Sequence, residues 1–146
     1  MKIIIGSDHG GFELKEKLQS FLKGKGYDVE DIGTYTEESC DYSEFSFKVA
    51  EAVAGGKADR GIIICKTGLG TCIAANKVRG ARAVTAHNID SAVFSRKHND
   101  ANILCLGAKY IDADLACEMS EKWLTTKFEA GRHKRRIDLI IKYEQE

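Results

Sequence analysis

Short β-branched and apolar runs alternate along this chain with stretches of helical periodicity. Few architectures besides parallel βαβ units satisfy that alternation. Lys2 to Ser7 predicts a first strand. Leu14, Leu18, Phe21 and Leu22 then recur at helical spacing, and Gly24 and Gly26 end that helix. Tyr27 to Ile32 predicts a second strand and Tyr42 to Ala54 a second helix, closed by Gly55-Gly56. Arg60 to Cys65 is apolar on both faces, as the middle strand of a parallel sheet must be. A Gly-rich turn leads to a short helix over 71–78. Ala81 to Ala86 and Ile103 to Leu106 predict the last two strands, with helices over Ser91–Lys97, over Asp114–Leu124 and after Gly131. The expectation is a doubly wound, flavodoxin-like α/β fold: a parallel sheet in the order 2-1-3-4-5 with helices on both faces. The 146 residues fill one such domain, 1–146, and show no linker or repeat.

Charge excludes some functions. Basic and acidic residues balance at 22 each, so no net field draws the chain to nucleic acid or to a membrane surface. Any anion site must be local. No apolar run approaches the ~18 residues of a membrane span. Ile3-Ile4-Ile5 stops at Gly6-Ser7-Asp8, too soon for a signal peptide. Five cysteines without C-x-x-C spacing argue against a disulfide framework and a zinc knuckle, and favour a reducing, cytoplasmic compartment.

In the expected order the crevice opens between the first and third strands, beyond their carboxyl ends. Ser7-Asp8-His9-Gly10-Gly11 follows the first of these and Cys65-Lys66-Thr67-Gly68-Leu69-Gly70 the third. Topology and residue chemistry therefore select the same place. A cysteine before a Gly-rich turn that opens a helix faces unpaired backbone N–H groups. Those groups stabilise an anion, whether a thiolate or an oxyanion developing on a substrate. A buried free cysteine is the bland alternative, and it is the better reading for Cys72, Cys105 and Cys117, which fall inside helical or strand patterns. His9 is either a phosphate donor or a helix cap. His98, near a helix end, is by itself a weak signal. Arg132 and Arg136 share a helix face at four-residue spacing and form either a phosphate clamp or a solvated basic face. Asp41 and Glu44 have capping-box spacing, which makes Asp41 a cap rather than a catalyst. Asp31 stands where a ribose-binding acid could stand, but the glycine fingerprint of a dinucleotide site is absent.

Taken in order, Gly6-Ser7-Asp8-His9-Gly10-Gly11, Asp41-Tyr42, Cys65-x-Thr67-Gly68-x-Gly70, Ala75-Asn76-Lys77, His98-Asn99-Asp100-Ala101-Asn102 and Gly131-Arg132-His133 resemble one known family. This is type B ribose-5-phosphate isomerase, within the ribose/galactose isomerases, and the resemblance spans essentially the whole chain. It implies that Cys65 removes the proton next to the sugar carbonyl, that Thr67 assists at the ring or developing hydroxyl, and that backbone N–H groups from Lys66 through Gly68 to Gly70 hold the enediolate. It further implies that Asp8 binds sugar hydroxyls, His98 opens the furanose ring and Asn99 contacts the substrate. His9, Arg132 and Arg136 would bind the phosphate, and Tyr42 would join the substrate-binding set. Lys66, on the anion loop, is a further substrate-binding candidate, beside the readings that it lowers the Cys65 pKa or points to solvent. The resemblance implies a homodimer whose sites borrow the His–Asn pair from the partner chain, with further pairing into a tetramer left open, and no metal or organic cofactor. Lys66 departs from the family's usual Gly, Ser43 from its usual Pro, and Lys109 from a common Arg.

Three activities compete at this point. Ribose 5-phosphate/ribulose 5-phosphate isomerisation comes first, because Asp8, His9 and Cys65 occur in one chain. An isomerase of a six-carbon sugar phosphate, galactose 6-phosphate or allose 6-phosphate, is second. A non-catalytic nucleotide- or phosphate-binding module is third.

Overall fold

A computed structural model describes residues 1–146. The strands are β1 (Lys2–Ser7), β2 (Asp28–Asp31), β3 (Arg60–Cys65), β4 (Ala83–Thr85) and β5 (Ile103–Gly107). The helices are α1 (Phe12–Gly24), α2 (Tyr42–Ala54), α3 (Leu69–Ala75), α4 (Ile89–Asn99), α5 (Ala113–Thr125) and α6 (Arg132–Gln145). All strand pairs are parallel. The predicted elements are present, with ends shifted by a few residues; α3 starts earlier than expected, at Leu69.

The order is β2-β1-β3-β5-β4, not 2-1-3-4-5. The composition of the last two strands explains the exchange. β5 is Ile-Leu-Cys-Leu-Gly and buried throughout, which suits an interior parallel strand. β4 has only three residues, two of them half-buried, and takes the edge. Its outer side is closed by Asn76, whose amide donates to Ala83 O and accepts from Ala83 N, both at 2.8 Å.

The exchange has a consequence for helix placement. Right-handed crossovers put a helix on one face when the chain steps one way across the sheet and on the other face when it steps back. α2 and α3 pack together on one face, over Ile4, Ile63, Ile103 and Cys105. α1, α4 and α5 cover the other, over Ile3, Ile5, Ile62, Leu104 and Leu106, with Trp123 of α5 buried among them. Because the β4-to-β5 step runs backwards, α4 joins α1 and α5. In the expected order it would have joined α2 and α3.

Two sequence readings are corrected here. Asp41 occupies the N-cap position of α2 but makes no side-chain cap bond. Asp31 is not free for a ribose: one oxygen pairs with the buried amine of Lys15 and the other accepts from Gly33 N at 2.8 Å. No helix is long and apolar enough to cross a membrane.

Candidate active site

Cys65 ends β3 beside Gly107 of β5 and is 4% exposed. The chain turns sharply after it. Gly68 adopts φ +75°, and a Cβ there would stand 2.9 Å from Leu106 C, so both conformation and space demand glycine. The turn folds Gly68 N back onto Cys65 Sγ at 3.1 Å. Thr71, fully buried on α3, places its hydroxyl 3.5 Å from the same sulfur. Thr85 donates to Gly68 O at 2.7 Å and fixes the turn from β4. Thr67 Oγ1 accepts from Leu69 N at 3.3 Å. Gly70 lies against the Tyr42 ring, which a Cβ would approach within 2.5 Å. Cys65, Thr67, Gly68, Gly70 and Tyr42 thus form one cluster.

The loop after β1 lies alongside. Asp8 is buried; its N–H donates to Ile64 O at 3.3 Å and its carboxylate accepts from Gly11 N at 3.1 Å. His9 Nδ1 accepts from Cys40 N at 3.2 Å, which leaves Nε2 as the protonated nitrogen, facing out. A cavity of about 630 Å³ opens between this loop, α1 and the start of α5. Asp8, His9 and Lys66 line it, joined by Lys17, Lys109 and Glu13. Three lysines face three carboxylates there, Asp8, Glu13 and Asp112. Lys17 pairs with Glu13 at 3.2 Å, whereas Lys66 and Lys109 have no ion-pair partner and, with His9, offer an anion a local cationic lining. Lys66 lies on its wall. Lys17 went unnoticed in the sequence because it reads as one solvated position of an amphipathic helix.

His98, Asn99, Arg132 and Arg136 are not part of this cluster. His98 and Asn99 end α4, next to the loop that enters β5. There Gly61 N, at the start of β3, donates to Asn102 O at 2.9 Å. Strand β3 therefore separates this place from Cys65 by about 13 Å of its length, at ~3.3 Å per residue. Arg132 and Arg136 lie exposed on α6, which packs against α4. The ring of His133 stacks on that of His98 at 4.1 Å and 13°. Burial, with neighbouring His98 and Arg132, pulls His133 below the ordinary imidazole value against the opposing effect of Glu129.

The remaining thiols follow their surroundings. Cys105 is fully buried and holds its proton; hydrogen bonding to Cys72 and burial both raise it. The same bond pulls Cys72 down to about 6, with help from Thr85 and Asn76. Burial raises Cys117.

A doubly wound sheet with a thiol, a run of backbone N–H groups and a lysine-lined cavity at its switch point defines an α/β protein built around a small anionic ligand. Residues 3–140 match the ribose/galactose isomerases, and the chain belongs to that family. It is 44% identical over 144 residues to ribose-5-phosphate isomerase B of Escherichia coli (strain K12), across 99% of this chain and 97% of that one. It superposes on ribose-5-phosphate isomerase B of Clostridium thermocellum with TM-score 0.97 and 53% identity, over 99% of this chain and 98% of the other. The Mycoplasma genitalium ribose-5-phosphate isomerase B, solved with bound ribulose-5-phosphate, gives TM-score 0.95 and 41% identity over 99% and 97% of the two chains.

Proposed function

We propose that the chain interconverts ribose 5-phosphate and ribulose 5-phosphate, with Cys65 as the base. The observation that carries this reading is the Cys65 turn, where a thiol and an array of backbone N–H groups meet at one strand end, beside a cavity lined by His9, Lys66 and Lys109. Kinship with ribose-5-phosphate isomerases over nearly the whole chain supports it.

The chemistry follows from the groups. The open-chain aldose presents its C2 proton to the Cys65 thiolate. The C2–H electron pair forms the C1–C2 double bond, and the carbonyl π pair moves onto O1. Within the 66–70 turn, the N–H groups other than Gly68 N and Leu69 N, which are given to Cys65 and Thr67, receive that oxyanion, and one such donor contributes roughly 10²–10³-fold. A proton moves from O2 to O1, the thiol returns its proton to C1, and the carbonyl stands at C2. Thr67 assists at the hydroxyl, Asp8 orients the sugar, and Tyr42 closes the rim over Gly70. A positioned base contributes roughly 10²–10⁴-fold. Anchoring the phosphate at His9 holds the remote end, so that C2 meets the sulfur.

His98, Asn99, Arg132 and Arg136 complete the site from a second copy of the chain. The apolar side chains of Leu69 and Ile73 on α3, Phe94 on α4, and Leu139, Ile140 and Tyr143 on α6 are exposed, and they suit such a partner. The five unpaired cysteines suit a reducing, cytoplasmic compartment. A coupled assay across five- and six-carbon aldose phosphates tests the reading. Turnover of ribose 5-phosphate well above the six-carbon sugars is expected. Turnover of a six-carbon sugar alone, or of none, would refute it.

A further inference from the structure

The edge of the sheet away from Cys65 carries a second constellation. Glu129 Oε2 stands 3.9 Å from His98 Nε2 and 3.9 Å from His133 Nε2. The three ligand atoms all lie within 4.8 Å of one another. A gap of 3.9 Å is too long for a hydrogen bond. It is close to what a shared ion needs: two ligands at ~2.0–2.1 Å from one tetrahedral ion stand about 3.4 Å apart. Closing the two gaps to Glu129 takes about half an ångström each, and drawing in ligand atoms that stand up to 4.8 Å apart takes a further turn of each ring out of the parallel stack.

The backbone is arranged to hold this set. Glu129 N donates to Lys97 O at 3.1 Å, which ties the loop before α6 to the end of α4. Lys97 reaches the other carboxylate oxygen, Oε1, at 4.0 Å, leaving Oε2 to face the rings. Ala130 then adopts φ +57°, a left-handed conformation that is uncommon for a residue with a side chain. Such strain gathers where a ligand clamp or switch requires it. Here it turns the chain between Glu129 and His133, so that both reach His98. Phe94 contacts the His98 ring edge-on at 4.8 Å and limits its swing.

The geometry points to a three-ligand site for a divalent transition ion of the nickel–zinc class, made by His98, His133 and Glu129, in which the ion withdraws His98 from the sugar and so inhibits isomerisation. The inhibition rests on the reaction proposed above; the binding does not. Two imidazoles and one carboxylate with an open fourth position suit such an ion better than calcium or magnesium, which take oxygen ligands.

Equilibrium dialysis of the full chain against Ni²⁺ at neutral pH tests the site. Nickel favours imidazole, whereas zinc would also be drawn to the free thiols. His133→Ala and Glu129→Gln should each weaken binding about tenfold or more, since changes even one shell further out cost roughly 10–100-fold. Glu129 is exposed, so its variant keeps the measurement valid if His133→Ala fails to fold. Unchanged binding in the folded variants overturns the site. In the second arm, Ni²⁺ should inhibit ribose 5-phosphate turnover in wild type and lose that effect in the variants, each measured against its own metal-free rate. A loaded wild-type enzyme running at its unloaded rate overturns the withdrawal of His98. A metal-free wild type inactive on every aldose phosphate refutes the functional reading instead, while the dialysis still decides the site.

Discussion

The two edges of the sheet differ in kind. At the carboxyl edge, functional groups are held by the backbone: Cys65 by a glycine turn, Asp8 by its own loop, the thiol by Gly68 N and Thr71. At the opposite edge, side chains stand on helices that are exposed or only half-covered: His98 on α4, Arg132 and Arg136 on α6. The first edge resembles a preorganised reaction centre lacking groups that a second body supplies. The other resembles that second body. On the reading proposed above, one copy of this chain is both an enzyme half-site and a partner for another half-site.

The sharpest way to break the comparison is to disable the carboxyl edge. Cys65→Ala should cut turnover of ribose 5-phosphate by more than about a hundredfold while leaving sugar-phosphate binding measurable by calorimetry. Residual turnover above a hundredth of wild type would remove the thiol as the main base. A mixing experiment then asks whether the edges belong to different chains. Cys65→Ala and His98→Ala proteins, each nearly inactive, are refolded together in equal amounts. About half the dimers should be mixed, each with one intact site, and activity should return to roughly a quarter of wild type. If mass spectrometry shows mixed dimers and activity stays flat, the edges act within one chain.

Smaller effects sharpen the picture. Neutralising Arg132 or Arg136 should raise KM about tenfold and change kcat less, as loss of a charge-assisted phosphate contact predicts. Unchanged KM in both variants would return α6 to the status of a solvated basic face. Thr71→Val removes a hydroxyl beside Cys65 and should slow turnover about fivefold, the worth of one hydrogen bond. Thr71→Ser should restore the rate, and equal rates in all three proteins would make the contact structural only. The smallest effect belongs to His133. Its folded titration is lowered, so as pH falls the unfolded chain takes up a proton first, near the ordinary imidazole value of about 6.5. Stability should therefore decline as pH falls below that value and level off once the folded ring is protonated. Denaturant melts of wild type and His133→Gln across pH 7 to 5 check this, and parallel curves would contradict it.

The carboxyl edge was legible because its signals are local. A strand end, a glycine turn and a cysteine fall within a few residues, and the crevice rule brings the β1 loop to them. The exchange of β4 and β5 was not legible from element spacing, which is compatible with either order. The contrast between Ile103–Gly107 and Ala83–Thr85 in length and apolar continuity was the available signal. That exchange decides which face carries α4, so the position of His98 was hidden with it. Thr71 and Glu129 carry no sequence signature, because their neighbours come from contacts made across the fold. Cys72 teaches the converse. Its lowered titration arises from Cys105 in the interior and marks no site.

Asn76 belongs to the sequence pattern of the family, yet its amide serves the sheet. It pairs with both the N–H and the C=O of Ala83 on the outermost strand. An edge strand with open backbone groups is a template for any extended chain that drifts past. Here the template is three residues long, and one side chain already occupies it. The β4 margin of the sheet is thereby protected against strand-by-strand growth into fibrils, and on that side helices rather than strands are left as the surfaces through which copies of the chain can meet.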